Sequence, residues 1–145
     1  MRVKNLMIKN VKYINQNKTI KEAASIMIKN SIGSVIVEDD DGEMAGILTE
    51  RDVLRTVAKG CDCNELVKNQ MTKNVIKIDK NVEIADAIDL MVKKNIKKLV
   101  VMNEDNVCGI ITASDILKSG DKLEEEVLLK LAKYFPVKQR EGYAG

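Results

Sequence analysis

The chain has 145 residues, 45% of them hydrophobic and 32% charged, with a formal net charge of +2. That length suits one compact domain or two small halves sharing a core, and so small a net charge gives no electrostatic case for nucleic acid or a membrane surface as the main partner. There is no histidine, which excludes a Ser-His-Asp or Cys-His nucleophile pair; Cys61, Cys63 and Cys108 alone fall short of the roughly four ligands of a structural zinc site.

In chain order, a Met-containing lead-in opens the sequence, followed by a short extended segment, VKYI (11–14). An amphipathic helix comes next, with Ile20, Ala23, Ala24 and Met27 on one stripe. The β-branched run SVIVE (34–38) predicts a buried strand, DDDGEM (39–44) a hairpin turn, and AGIL (45–48) the returning strand. A second helix is expected to start at Thr49. The same order then recurs. VIKI (75–78) is extended, Ile84, Ala87, Ile88 and Met91 form a helical stripe, and KLVVM (98–102) predicts a strand. NEDNV (103–107) is a turn, CGII (108–111) a strand, and a helix is expected from Thr112. Segment 121–135, DKLEEEVLLKLAKYF, is a further helix candidate whose stripe is Leu123, Val127, Leu128, Leu131, Tyr134 and Phe135, suited to packing or dimerisation. Pro136 is expected to end it, leaving 137–145 as a frayed tail.

The recurrence is an internal repeat. Ile20 falls on Ile84, Ala23 on Ala87, Met27 on Met91 and Ile32 on Ile96. Upstream, Met7 falls on Met71 and Asn10 on Asn74; downstream, Gly46 meets Gly109, Thr49 meets Thr112 and Asp52 meets Asp115. The expected organisation is a first repeat over 1–60, a second over 61–118, and a C-terminal helix and tail over 119–145. The fold class is α+β, as two β-α-β-β-α repeats. Half of that is too small to bury its own apolar faces well, so the two copies are expected to pack together.

Each repeat ends in Gly-x-x-Thr-x-x-Asp: GILTERD (46–52) and GIITASD (109–115). One explanation is purely structural, since Thr is a good N-cap and an acid three residues on completes a capping box. The other is a ligand. A strand feeding a helix start gathers free N–H groups and positive dipole, which suits a phosphate. An ionised carboxylate can accept from both hydroxyls of a ribose diol. A nucleoside phosphate offers both groups, and its base could rest on Ile47 or Ile110.

On these motifs and their order, the chain resembles a CBS-domain pair, the tandem module that binds adenosine-containing ligands. The resemblance covers about 3–118. It implies two repeats packed about a pseudo-two-fold axis, leaving two symmetry-related clefts. One would use Ile110, Thr112 and Asp115, faced by Met7, Asn10, Lys12, Ile32 and Gly33. The other would use Ile47, Thr49 and Asp52, faced by Met71, Thr72, Asn74, Ile76, Ile96 and Lys97. Asp52 and Asp115 would hold the ribose. Thr49 and Thr112 would face phosphate or ribose, and backbone near Lys12 and Ile76 would meet the base edge. Lys97 and Lys98 stand where such modules carry phosphate-binding cations, whereas Gly33 and Ser34 occupy those positions in the first repeat. The two clefts are therefore expected to differ in affinity.

The function so implied is a stand-alone, non-catalytic regulatory module for AMP, ADP, ATP or S-adenosylmethionine. It would need no cofactor or metal, act as a homodimer or on a separate regulated protein, and reside in the cytoplasm. No apolar run is long enough to cross a bilayer, and MRVKNLMIKN lacks a signal-peptide core. Two alternatives stand beside it. Lys93, Lys94, Lys97 and Lys98 could face nucleic acid, although aromatics make up only 3% of the chain and supply few stacking platforms. An inosine monophosphate dehydrogenase relative would need a catalytic barrel of about 250 residues, for which there is no room.

Overall fold

The computed structural model of the protein describes residues 1–135; the expectations for Pro136 and the tail lie outside them. In chain order the elements are α1 (Val3–Leu6), β1 (Tyr13–Asn15), α2 (Ile20–Asn30), β2 (Ser34–Glu38), β3 (Met44–Thr49), α3 (Glu50–Ala58), α4 (Val67–Gln70), β4 (Lys77–Asp79), α5 (Ile84–Lys94), β5 (Lys98–Asn103), β6 (Asn106–Thr112), α6 (Ala113–Lys118), a single 3-10 turn (Gly120–Lys122) and α7 (Glu125–Tyr134). They form two compact units. One is Asn10–Ile76; the other joins Met1–Lys9 to the described residues from Lys77 onward.

In the unit Asn10–Ile76 the sheet order is β1-β2-β3. β1 runs parallel to β2, and β2 antiparallel to β3 with Ser34 opposite Thr49. A parallel pair needs a crossover connection, which α2 supplies. The sequence starts α2 with a complete capping box: Thr19 Oγ1 accepts from the Glu22 N–H at 3.2 Å, and the Glu22 carboxylate accepts from the Thr19 N–H at 3.0 Å. Ile20, Ala23 and Met27 bury one stripe against Ile14, Val35, Val37 and Leu48, while Ala24 is half-buried. The helix ends at Ser31 in the left-handed region (φ 52°), and the Ile32 N–H turns back to the Met27 carbonyl at 3.0 Å. That turn delivers Ile32 and Gly33 to the start of β2.

The second unit repeats the pattern with β4-β5-β6 and α5. Ile84, Ala87, Ile88 and Met91 are all buried. Asn95 takes the left-handed position (φ 53°), and the Ile96 N–H returns to Met91 at 2.9 Å. Segment 121–135 is not one helix. Leu123 and Glu124 are extended, and regular helix begins only at Glu125. Leu123, Val127 and Leu131 are buried, and α7 is tied to α5 by Lys130 Nζ to Asp89 Oδ2 at 2.9 Å. The hydrogen bond that Lys130 donates to the Asp89 carboxylate is the main cause that raises the Lys130 pKa above the ordinary lysine value. Leu128 and Tyr134, expected on the stripe, are 41% and 40% exposed. Leu128 is rotated about 100° from Val127, and Tyr134 sits where the helix runs out.

The short helices α1 and α4, absent from the sequence expectations, show how the lead-ins are used. α1 belongs with β4–β6, and α4 with β1–β3. Val3 and Val67 anchor them, both fully buried. Ile8 and Ile110 exchange two backbone hydrogen bonds at 2.8 and 3.0 Å; Ile47 and Thr72 do the same at 3.0 and 2.9 Å. The compact units therefore do not follow the sequence repeats: the opening residues of each repeat sit on the last strand of the other.

The motif glycines are explained here. A Cβ on Gly46 would lie 2.5 Å from the Thr72 carbonyl oxygen, and one on Gly109 would lie 2.9 Å from that of Ile8. Only an absent side chain lets the lead-in backbone come so close. Gly46→Ala should cost about 1–3 kcal/mol in urea unfolding, with faster amide exchange at Ile47 and Thr72; unaltered exchange there would contradict the clamp.

Candidate ligand-binding site

Both Thr-x-x-Asp motifs lie where the last strand of a sheet meets a helix. Strand pairing fixes the approach, and the next helix is started by a reciprocal box. In the first motif, Asp52 Oδ2 accepts from the Thr49 N–H at 2.9 Å and from Thr49 Oγ1 at 3.1 Å, while Thr49 Oγ1 accepts from the Asp52 N–H at 3.2 Å. In the second, Asp115 Oδ2 accepts from the Thr112 N–H at 3.2 Å and from Thr112 Oγ1 at 2.7 Å, and Thr112 Oγ1 accepts from the Asp115 N–H at 3.0 Å. The capping explanation is thus correct as far as it goes. It also gives each threonine hydroxyl proton to its own aspartate, so the threonines act first by aiming the carboxylate.

The carboxylates differ in their other oxygen. Asp52 is 3% exposed, and its Oδ1 takes Arg55 Nη1 at 2.9 Å. Its main-chain carbonyl also accepts from Thr56 Oγ1 at 2.8 Å. Asp115 is half-buried, and no described residue donates to its Oδ1. The residue three places after Asp115 is Lys118, which is exposed. Sequence reasoning missed Arg55, although its i,i+3 spacing from Asp52 was a signal for a helix-surface pair.

Other candidate residues cluster at the same ends of the sheets. In the unit Asn10–Ile76, the Gly33 carbonyl accepts from the Glu50 N–H at 3.0 Å, and the Lys12 carbonyl from the Ile36 N–H at 2.9 Å. Ile47 is buried beside Thr72, which is exposed; Asn10 and Asn74 are exposed, and Met71, Ile32 and Ile76 half-buried. In the other unit, the Lys97 carbonyl accepts from the Ala113 N–H at 2.9 Å. Lys98 lies directly opposite Thr112 across the β5–β6 pair, so both side chains leave the same face. Ser34 holds that place opposite Thr49. Ile110 is buried; Met7 and Ile96 are half-buried, and Lys97 is exposed. Met7 Sδ rests 4.0 Å from Cys108 Sγ. Cys61, Cys63 and Cys108 are free thiols. Among the described residues no group of His, Cys, Asp or Glu could hold a metal ion, and no helix is long and apolar enough to cross a membrane.

Comparison with known proteins agrees with this architecture. The family model "CBS domain" matches residues 3–59 and again 64–121. The chain is 34% identical over 115 residues to the CBS domain-containing protein YhcV of Bacillus subtilis, covering 79% of this chain and 81% of YhcV. The matched segment is a smaller part of other relatives: 41% of MJ1225 and 22% of an inosine-5'-monophosphate dehydrogenase, both from Methanocaldococcus jannaschii. Among solved structures, the CBS domain pair of protein MJ0100, in complex with 5-methylthioadenosine and S-adenosyl-L-methionine, superposes with a TM-score of 0.75 at 30% identity over 85% of this chain and 98% of that one. A protein from Pyrococcus horikoshii superposes with a TM-score of 0.77 at 27% identity over 86% and 95%.

The unequal settings of the two aspartates have a measurable consequence. Asp52→Ala removes a cap and leaves buried donors unmet, so it should cost about 2–4 kcal/mol; Asp115→Ala should cost about 1 kcal/mol. Equal losses in urea titrations would show that the Arg55 pair adds nothing.

Proposed function

The chain belongs to the CBS-domain family, and from that premise we propose that it is a regulatory module that binds an adenosine-containing ligand and performs no chemistry on it. The candidate ligands are AMP, ADP, ATP and S-adenosylmethionine. One observation carries the proposal. A threonine-aimed carboxylate, Asp115, keeps an oxygen that accepts nothing from the described residues, as a ribose diol requires. Support comes from the MJ0100 pair, 30% identical, which was solved with S-adenosyl-L-methionine and 5-methylthioadenosine.

Roles follow from chemistry. Asp115 and Asp52 accept from ribose hydroxyls. Thr112 and Thr49 hold them in place. Lys98, on the same face as Thr112, and Lys97 beside it meet a phosphate or carboxylate of the ligand. Ile110 and Ile47 give apolar contact to the base; Met7, Asn10, Lys12, Ile32, Gly33, Thr72, Asn74, Ile76 and Ile96 complete the set that the family resemblance assigns. The protein is placed in the cytoplasm, where such ligands are abundant.

The output is assigned to self-association. On the face of α2 and α3, Ile28, Leu54 and Val57 are 83%, 69% and 68% exposed, beside a groove of about 530 Å³ lined by Ala24, Met27, Ile32 and Val53. In the other unit, α7 covers α5. An apolar face of this kind suits a second copy of the chain.

Two measurements test the proposal. Calorimetry with AMP, ATP and S-adenosylmethionine should give saturable heat with at least one of them, and Asp115→Asn should remove a site; no heat at millimolar ligand sinks the assignment. Light scattering should find a dimer that Ile28→Glu with Leu54→Glu converts to monomer. A wild-type monomer at about 100 μM would exclude the self-association surface.

A further inference from the structure

The two motifs share Gly, Ile, Thr and Asp and the same capping geometry, and among the positions where they differ is the one three residues beyond the aspartate. In the first repeat that residue is Arg55, whose guanidinium reaches Asp52 Oδ1 at 2.9 Å. Asp52's side chain is only 4% exposed, while that of Arg55 is 49% exposed. Both carboxylate oxygens of Asp52 are therefore engaged, one by Thr49 and one by Arg55. In the second repeat the position is Lys118, which forms no ion pair with Asp115, and no described residue donates to Asp115 Oδ1.

We propose that Arg55 is a latch that sets the order in which the two motifs fill. It rests on the adenosine-ligand assignment above. With Oδ1 held by Arg55, Asp52 can accept a ribose diol only if the guanidinium is displaced, and displacement exposes a nearly buried carboxylate to the loss of a charge-assisted hydrogen bond. Among the described residues Asp115 has no such contact to break. Lys98 reinforces the bias, since it lies opposite Thr112 where Ser34 lies opposite Thr49. The ligand is consequently taken first, and more tightly, at the Asp115 motif. Filling of the Asp52 motif reports a higher ligand concentration, and Arg55 is the residue that separates the two thresholds.

The experiment is calorimetry with AMP and with S-adenosylmethionine on wild type and three variants. Wild type should show one tight site, removed by Asp115→Asn. Arg55→Met should tighten the second site by roughly tenfold or more, so that the isotherm approaches two equivalents. The reciprocal change, Lys118→Arg, builds the latch on the other motif. It alters an exposed side chain, so folding is not at stake, and it should weaken the tight site by a similar factor. The latch is overturned if Lys118→Arg leaves the tight site unaltered. It is equally overturned if Arg55→Met weakens binding, which would make Arg55 a ligand contact, or if Asp115→Asn spares the tight site. Those results would leave the adenosine assignment standing. Absence of heat from both probes with wild type and every variant would remove the assignment and the latch together.

Discussion

The bond between a threonine and the aspartate three residues later governs this structure. One carboxylate oxygen takes both the N–H and the hydroxyl of the threonine, and the hydroxyl in turn receives the N–H of the aspartate. This satisfies donors that a helix start otherwise leaves unpaired. It also fixes the carboxylate on the strand-to-helix corner, with its second oxygen pointing away from the threonine. A carboxylate aimed by packing and hydrogen bonds needs no reordering to receive a ligand, which is the main advantage of a preformed site. In the reading proposed above, structural and binding duties fall on one side chain, and what its second oxygen meets decides between them.

The glycine three residues before each threonine supports that corner from the other side. It lets a lead-in backbone pair with the outer strand of the sheet, Thr72 with Ile47 and Ile8 with Ile110. The pairing covers part of an edge that would otherwise be open to another strand. Because each lead-in comes from the other repeat, the buried anchor on each sheet, Val67 for β1–β3 and Val3 for β4–β6, is supplied by the other repeat.

Much of this was legible in the residues. The 3.6-residue stripes gave α2 and α5, the β-branched runs gave β2 and β5, and Thr49 and Thr112 marked the helix starts to the residue. The exchanged lead-ins carry no such signal: four-residue helices show no periodicity, and the non-local pairings of Ile8 with Ile110 and Ile47 with Thr72 leave no local pattern. The expected C-terminal helix is present as α7, but the apolar spacing of 121–135 places its start four residues too early. The actual break at Leu123 and Glu124 comes from Leu123 being drawn into the core in an extended conformation. Arg55 was missed because a lone arginine on a helix usually faces water, and only coordinates show that Asp52 is buried enough to hold it.

Divergence between the copies then becomes informative. Where both repeats keep the same residue type, as at Gly, Thr and Asp of the motif, packing or capping already demands it. Where they differ, the shared scaffold imposes no choice. Ser34 against Lys98, Arg55 against Lys118, and the open α2–α3 face against an α5 face covered by α7 are three such differences. The first two act on the same carboxylate corner and in the same direction: the second copy gains a cation opposite the threonine and the first gains a cation on the aspartate. One arrangement sets a cation beside a carboxylate whose Oδ1 takes no donor among the described residues, and the other pairs the carboxylate itself with a cation. A fold built twice, with a cation placed differently about the same carboxylate corner in each copy, gives the latch proposed above its physical basis.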